Sequence, residues 1–188
     1  MKPHIECLSV GLLATCCYLV WDPDRDDCLA IDPGDDPERI RAAMRGRRLA
    51  AILLTHGHFD HIGAVAALAE AGTEILIHRA DAPMLTDPRL NAGGLIGADI
   101  TAPPATRTFG GGETLTLAGI ALDVIHTPGH TPGSCCFRCG SDLFTGDTVM
   151  DGGYGRTDLP GGSWADLRAS LRRLEPLLRI HTVHGGHA

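Results

Sequence analysis

The stretch Thr55-His56-Gly57-His58-Phe59-Asp60-His61 places four metal-capable side chains within six positions. His is the commonest metal ligand and the side chain that titrates near neutral pH. Residues i and i+2 of an extended chain point the same way, so His56 and His58 can grip one ion. Asp60 and His61 follow where a helix is expected to start, and the curling chain aims them at a neighbouring point. Gly57 lets the backbone turn closely between them. Three more candidates stand at expected strand ends: His130 in Thr127-Pro128-Gly129-His130-Thr131-Pro132-Gly133-Ser134, Asp147 after Leu143-Phe144-Thr145-Gly146, and His187 in Gly185-Gly186-His187. Strand ends are where α/β architectures bind ligands. The chain has 10 His in 188 residues, and this clustering points to a metal site. The others read as bland: His78 and His126 as packing residues, His4 and His181 as surface.

The elements that must position these residues fall into two patterns. Residues 4–10, 16–21 and 28–32 read as strands, with a turn at Gly11 inside the apolar run Leu8–Trp21. That run is too short and too interrupted to be a membrane span, and it reads as two buried strands rather than a signal peptide. Asp36 is expected to cap a helix that has Pro37 at its first position and ends near Gly46. Residues 50–54 form a buried apolar strand, 62–71 an Ala-rich helix, and 74–78 another strand. This β-α-β alternation implies parallel pairing with helices covering the sheet. Residues 87–113 read as loop. Short strands at 114–117, 120–125, 133–138 and 142–146 then form an antiparallel meander. Ser163 caps a helix from Trp164 to about Leu174, and 180–183 is the last strand.

Composition narrows the function. One domain over residues 1–188 is expected, large enough to bury its own core. The net charge of −7 and only 8 aromatic residues argue against nucleic-acid or anionic-membrane partners. Seven Cys, an odd number with two adjacent pairs, do not make a disulfide framework. Cys136-x-x-Cys139 has no second CxxC to complete a zinc site, so it reads as buried thiols. A reducing, cytoplasmic compartment is expected. Arg45-Gly46-Arg47-Arg48 reads as a solvated loop.

HGHFDH, TPGHTPGS, TGD and GGH, in this order, resemble the metallo-β-lactamase-fold hydrolases, from about Cys7 to the last residue. Asp32-Pro33-Gly34 matches the family's first motif, whose Asp supports the metal site from behind. Gly155-Arg156-Thr157-Asp158-Leu159 and Gly161-Gly162 resemble the small glyoxalase II-like branch. The resemblance implies an α/β fold, a four-layer αβ/βα sandwich of two mixed sheets flanked by helices. It implies two divalent metal ions, with zinc first and iron or manganese accepted by the same donors. His56, His58 and His130 would bind one; Asp60, His61 and His187 the other; Asp147 would bridge. Arg156 would lie at the mouth as an anion contact for substrate. The tail departs from the family's Pro-Gly-His-Gly pattern, with Gly185 for Pro and Ala188 for Gly, so the metal is expected to anchor it.

A metal pair holding a bridging hydroxide is a nucleophile at neutral pH, because coordination lowers the water pKa to about 7. Asp60 would bind metal and hold the hydroxide's proton. A thiolate leaves without a strong general acid, since thiol pKa values are about 8.5. The expected substrate is therefore a small-molecule thioester of the S-acylglutathione type. The C-terminal helical region that supplies much of the glutathione site in full-length glyoxalase II has no counterpart in these 188 residues. The alternatives are a persulfide dioxygenase-like enzyme with one iron on His56, His130 and Asp147, a lactonase or β-lactamase, and a metal-binding relic without turnover.

Overall fold

The computed structural model describes residues 2–188. Two sheets lie face to face with helices on both outer sides, so the fold is a four-layer αβ/βα sandwich. The first sheet holds six strands in the order β1-β2-β3-β4-β5-β6. They are β1 (His4–Val10), β2 (Thr15–Trp21), β3 (Asp27–Ile31), β4 (Arg48–Leu53), β5 (Glu74–His78) and β6 (Arg107–Phe109). β1 to β3 pair antiparallel and β3 to β6 parallel. The second sheet runs β11-β10-β9-β8-β7: β7 (Thr114–Leu117), β8 (Ile120–His126), β9 (Cys135–Cys139), β10 (Asp142–Gly146) and β11 (Thr182–Gly185). All its pairs are antiparallel except β10 with β11. Both sheets are therefore mixed.

β2 explains the layering. Its run Thr-Cys-Cys-Tyr-Leu-Val-Trp is buried on both faces. Cys17, Leu19 and Trp21 pack outward against α1 (Pro37–Ala43) and α3 (Val65–Leu68), whereas Cys16, Tyr18 and Val20 pack between the sheets. A strand covered on both sides needs no polar alternation. Cys136 and Cys139 also turn to opposite faces, Cys136 beneath α4 (Trp164–Leu178) and Cys139 between the sheets. They do not converge as a ligand pair. No described helix is long and apolar enough to cross a membrane.

Several expectations are corrected. The Ala-rich helix at 62–71 is two short pieces, α2 (Phe59–Ile62) and α3. The break falls at Gly63, where an added Cβ would sit 2.3 Å from the Gly34 carbonyl oxygen. The next amide, Ala64 N–H, donates to Pro33 O across the gap. A Cβ on Gly34 would in turn strike the Asp60 carbonyl at 1.7 Å. Two backbones pressed together hold the start of α2, and Asp60 with it, in place. Asp36 occupies the N-cap of α1 at φ 52° but does not cap with its side chain. Its carboxylate takes the Gly11 amide and Arg39 instead. β6 lies inside the segment expected to be loop, because three residues at a sheet edge carry no periodic signal. α4 runs through Pro176 to Leu178, and β11 starts at Thr182 rather than 180. Ser163 does cap α4, accepting from Asp166 N–H. The arginine run is the exposed turn expected at Arg45 and Arg48, but Arg47 is half-buried. Arg45 and Arg47 lie 5.9 and 4.6 Å from the Trp21 ring centroid, and Arg48 pairs with Asp27.

Candidate metal centre

All seven expected ligands meet at one edge of the sandwich, where strands of both sheets end. His56 and His58 follow β4, whose last residue is Leu53. A Cβ on Gly57 between them would sit 2.6 Å from Met84 Cβ, so the loop can descend only through glycine. His130 comes from the β8–β9 loop, Asp147 follows β10, and His187 follows β11. His56 Nε2 and His130 Nε2 lie 3.2 Å apart, and His58 Nδ1 lies 2.8 Å from His130 Nε2. A second cluster joins Asp60, His61 and His187: His61 Nε2 is 3.4 Å from His187 Nε2, and both are 3.4–3.5 Å from Asp60 Oδ2. Asp147 faces both clusters. Its Oδ2 is 3.3 Å from His130 Nε2, and its Oδ1 is 3.4 Å from both His61 and His187 Nε2.

The outer nitrogens decide which way the lone pairs point. His130 Nδ1 donates to Arg156 O at 2.7 Å, and His187 Nδ1 to Leu13 O at 2.9 Å. His61 Nδ1 meets Asp32 Oδ2 at 3.0 Å. His56 Nδ1 meets Thr55 Oγ1 at 3.0 Å, and that hydroxyl itself donates to Asp32 at 2.6 Å. Four of the five rings thus have an oxygen partner on the outside, whereas the outer Nε2 of His58 is buried without one. The inward nitrogens and the carboxylates of Asp60 and Asp147 converge as a mixed nitrogen and oxygen donor set of the kind that binds a divalent cation. Asp147 Oδ1 is buried without a hydrogen-bond partner, as a ligand atom would be. The residues therefore fit a pair of metal ions.

The two clusters differ electrostatically. Burial pushes the His58 imidazole down to about 3 and His56 well below its ordinary value, aided by neighbouring imidazoles. Burial also lowers His130, against the pull of Asp147. At His61 burial acts the same way, but Asp60, Asp147 and Asp32 overcome it and raise the imidazole well above its usual range. The Asp147 carboxylate facing its ring raises His187. Burial disfavours ionised Asp147, yet His61 and His187 hold it well below the usual carboxylate range.

Asp32 also lies close to His56 and His61 but is no free ligand, because Thr55 N–H, Thr55 Oγ1 and His61 already occupy its oxygens. Arg156 lines the mouth as expected. Its guanidinium is held by Asp158 through two 2.7 Å bonds, and its carbonyl orients His130. The bland histidines behave so: His78 stacks on His126 at 4.1 Å, His4 on Trp21, and His181 bonds Leu177 O. His184 turns away from the clusters, bonding Asp142 at 3.0 Å and stacking on Phe144. Protein groups tie the tail. Cys16 N–H donates to Gly186 O, Gly186 N–H to Gly146 O, Ala188 N–H to Ala14 O, and Tyr18 Oη to Gly185 O.

Three positioning residues escaped the sequence. Thr15 Oγ1 donates to Asp60 Oδ2 at 3.1 Å. Thr55 links Asp32 to His56. Asp81, fully buried, accepts from Gly57 N–H, Thr131 Oγ1 and Gly133 N–H, fastening the His58 loop to the His130 loop. Each has a partner at least 23 positions away, and no local spacing marks them.

Residues 10–187 match the Metallo-beta-lactamase superfamily. The chain belongs to the metallo-beta-lactamase superfamily. Among its relatives in that superfamily, the probable metallo-hydrolase YqgX of Bacillus subtilis is 37% identical, covering 96% of this chain and 88% of its own length. Hydroxyacylglutathione hydrolase GloC of Haemophilus influenzae is 36% identical over 98% of this chain and 90% of its own. Two solved superfamily structures superpose over nearly the whole chain. BLEG-1, a B3 metallo-beta-lactamase, gives a TM-score of 0.89 at 34% identity, covering 98% of this chain and 92% of that one. TTHA1623 in a di-iron-bound form gives 0.86 at 39%, covering 97% and 92%.

Proposed function

We propose that this superfamily hydrolase cleaves small-molecule thioesters of the S-acylglutathione type. The observation that carries the reading is Asp147, which turns one oxygen to each of two histidine clusters. The identity to GloC along nearly the whole chain supports the thioester.

The seven residues His56, His58, His130, Asp60, His61, His187 and Asp147 would hold two divalent ions, zinc first; the di-iron form of TTHA1623 makes iron the rival. When bound, such a pair supplies a water of lowered pKa and polarises the scissile carbonyl. The chain's own groups do the rest. Thr15 fixes Asp60 Oδ2, which leaves the carboxylate oriented to take a proton from the attacking water. The water oxygen bonds to the acyl carbon, the C–S bond breaks, and the thiolate leaves with its electron pair. The products are a carboxylate and a thiol. No acid is required at sulfur, because thiols ionise near neutrality. The pocket above the clusters, about 630 Å³, is of a size that takes a small ligand. Arg156 at its rim would meet an anionic group of the substrate. The cytoplasm is the proposed compartment, supported by seven thiols whose adjacent pairs, Cys16/Cys17 and Cys135/Cys136, face opposite layers.

The test combines metal content with turnover. Protein purified without chelator should carry close to two ions per chain and hydrolyse S-D-lactoylglutathione. Asp60→Asn should keep the fold and lower kcat by ~10², the scale of a lost general base. One iron per chain with oxygen uptake on glutathione persulfide would replace this reading by the dioxygenase. A second reading, lactam hydrolysis, is favoured by the 0.89 TM-score to BLEG-1, and nitrocefin turnover exceeding that of thioesters would select it.

A further inference from the structure

Beside Asp60 lies a second cavity of about 320 Å³. Val10, Leu12, Leu13, Phe59, Ile96 and Ile100 wall it, and Leu13, Phe59, Asp60 and Ile96 also line the main pocket, so the two spaces share a wall. The charged groups in its lining are Asp35 and Asp60, both acidic. Arg156 lies at the mouth of the main pocket and is no part of this lining. An anionic group meets no free cation here, whereas an apolar group meets a continuous hydrocarbon surface.

The wall itself is unusual. Residues 11–14 form the turn between β1 and β2, where polar residues normally serve, yet Leu12 is fully exposed and Leu13 is largely so. Across the cavity, Ile96 is also mostly exposed. Large apolar side chains gathered in the open beside a pocket mark a binding surface. The turn is also fixed relative to the histidines, because Leu13 O takes His187 Nδ1–H and Ala14 O takes Ala188 N–H. A hydrocarbon held in this cavity has a defined distance to Asp60.

We infer that the cavity binds the acyl chain of the substrate, so that the preferred thioesters carry an unbranched apolar acyl group rather than a small hydroxyacyl group. This rests on the hydrolase reading above. With the carbonyl at the histidine clusters, the chain runs past Asp60 between Leu13 and Ile96, and the thiol side faces the mouth near Arg156.

The experiment is a chain-length series. Acetyl, butyryl and hexanoyl thioesters of one uncharged thiol, N-acetylcysteamine, are compared by kcat/KM in the metal-loaded protein. Each methylene taken out of water should raise the value about fourfold until the cavity is full. Leu13→Ser and Ile96→Ser, both at exposed positions, should flatten the series, with metal content and Tm confirming the fold. A flat series in the parent, or variants with the parent's slope, would overturn the acyl cavity and leave the hydrolase standing. Absence of turnover on every thioester would overturn the hydrolase instead. The cavity is then read by calorimetric binding of hexanamide against acetamide: tighter hexanamide binding that Leu13→Ser abolishes supports it, and equal binding of the two refutes it.

Discussion

Asp32→Asn isolates the link between the scaffold and both metal clusters. Asp32 is buried at φ 51°, a conformation that Asp and Asn tolerate better than other side chains with a Cβ. Oδ1 accepts from Thr55 N–H at 2.8 Å, and Oδ2 accepts from Thr55 Oγ1 at 2.6 Å and His61 Nδ1 at 3.0 Å. Both faces of the carboxylate therefore need acceptors. Asparagine keeps the shape but turns one face into an NH2 group, which meets a donor in either flip. An orphaned buried donor costs about 1–3 kcal/mol, and a lost bond to a charged group adds about 1.5. The chelator-stripped variant should unfold with about 2.5–4.5 kcal/mol less stability in urea. His61 then loses the partner that fixes its tautomer, and His56 loses part of its own through Thr55. Removing such an outer partner typically costs 10–100-fold in metal affinity. Calorimetric reloading of the stripped protein should show one of two binding steps weakened on that scale. Asp32→Ala should be worse in stability, since alanine pays about 1–2 kcal/mol at positive φ. If Asp32→Asn is destabilised but reloads both ions with the parent's affinity, Asp32 shapes the fold without tuning the site. If neither quantity moves, the hydrogen-bond argument is wrong.

His187→Ala should drop metal content from about two ions to about one, by elemental analysis, while His184→Ala keeps two and loses only about 1–2 kcal/mol of stability, because its ring packs on Phe144 and bonds Asp142. The reverse pattern would mean that the tail's register is misread. Amide exchange in the stripped protein should still protect Cys16 and Gly186, whose N–H groups bond Gly186 O and Gly146 O, and fast exchange there would make metal the tail's anchor.

The ligands were legible because each is announced locally. His56 to His61 share one short stretch, and His130, Asp147 and His187 each follow a strand that its own hydrophobic pattern reveals. A residue that acts at a distance leaves no such mark. Thr15 reaches Asp60 across 45 positions, and Asp81 reaches Gly133 across 52. In sequence Thr15 is one polar residue opening an apolar strand, and Asp81 is one acid among many. The break between α2 and α3 was hidden for the same reason. Ala and Val around Gly63 favour a helix, and only the backbone of Pro33-Gly34, some thirty residues away, overrides them. Arg156 was marked for its side chain, while its carbonyl is what touches a ligand, and a backbone role has no residue type to betray it.

The same distant contacts explain how loops can carry so exact a site. Donor atoms crowded inward at 2.8–3.5 Å need restraints besides one another to keep that geometry. Four of them are held from behind by different elements: His61 by Asp32 at the end of β3, Asp60 by Thr15 of β2, His130 by the Arg156 carbonyl, His187 by the β1–β2 turn. The restraints come from several elements, so the crowding of the donors is shared by the sandwich core rather than borne by one flexible loop. Such a frame is preorganised, so ordering the loops takes little from the binding energy of the ions. It also couples the apolar turn to the chemistry. Leu13 presents its side chain to the cavity and its carbonyl to His187, so the residue proposed to meet the acyl chain and the residue that aims a ligand are one and the same.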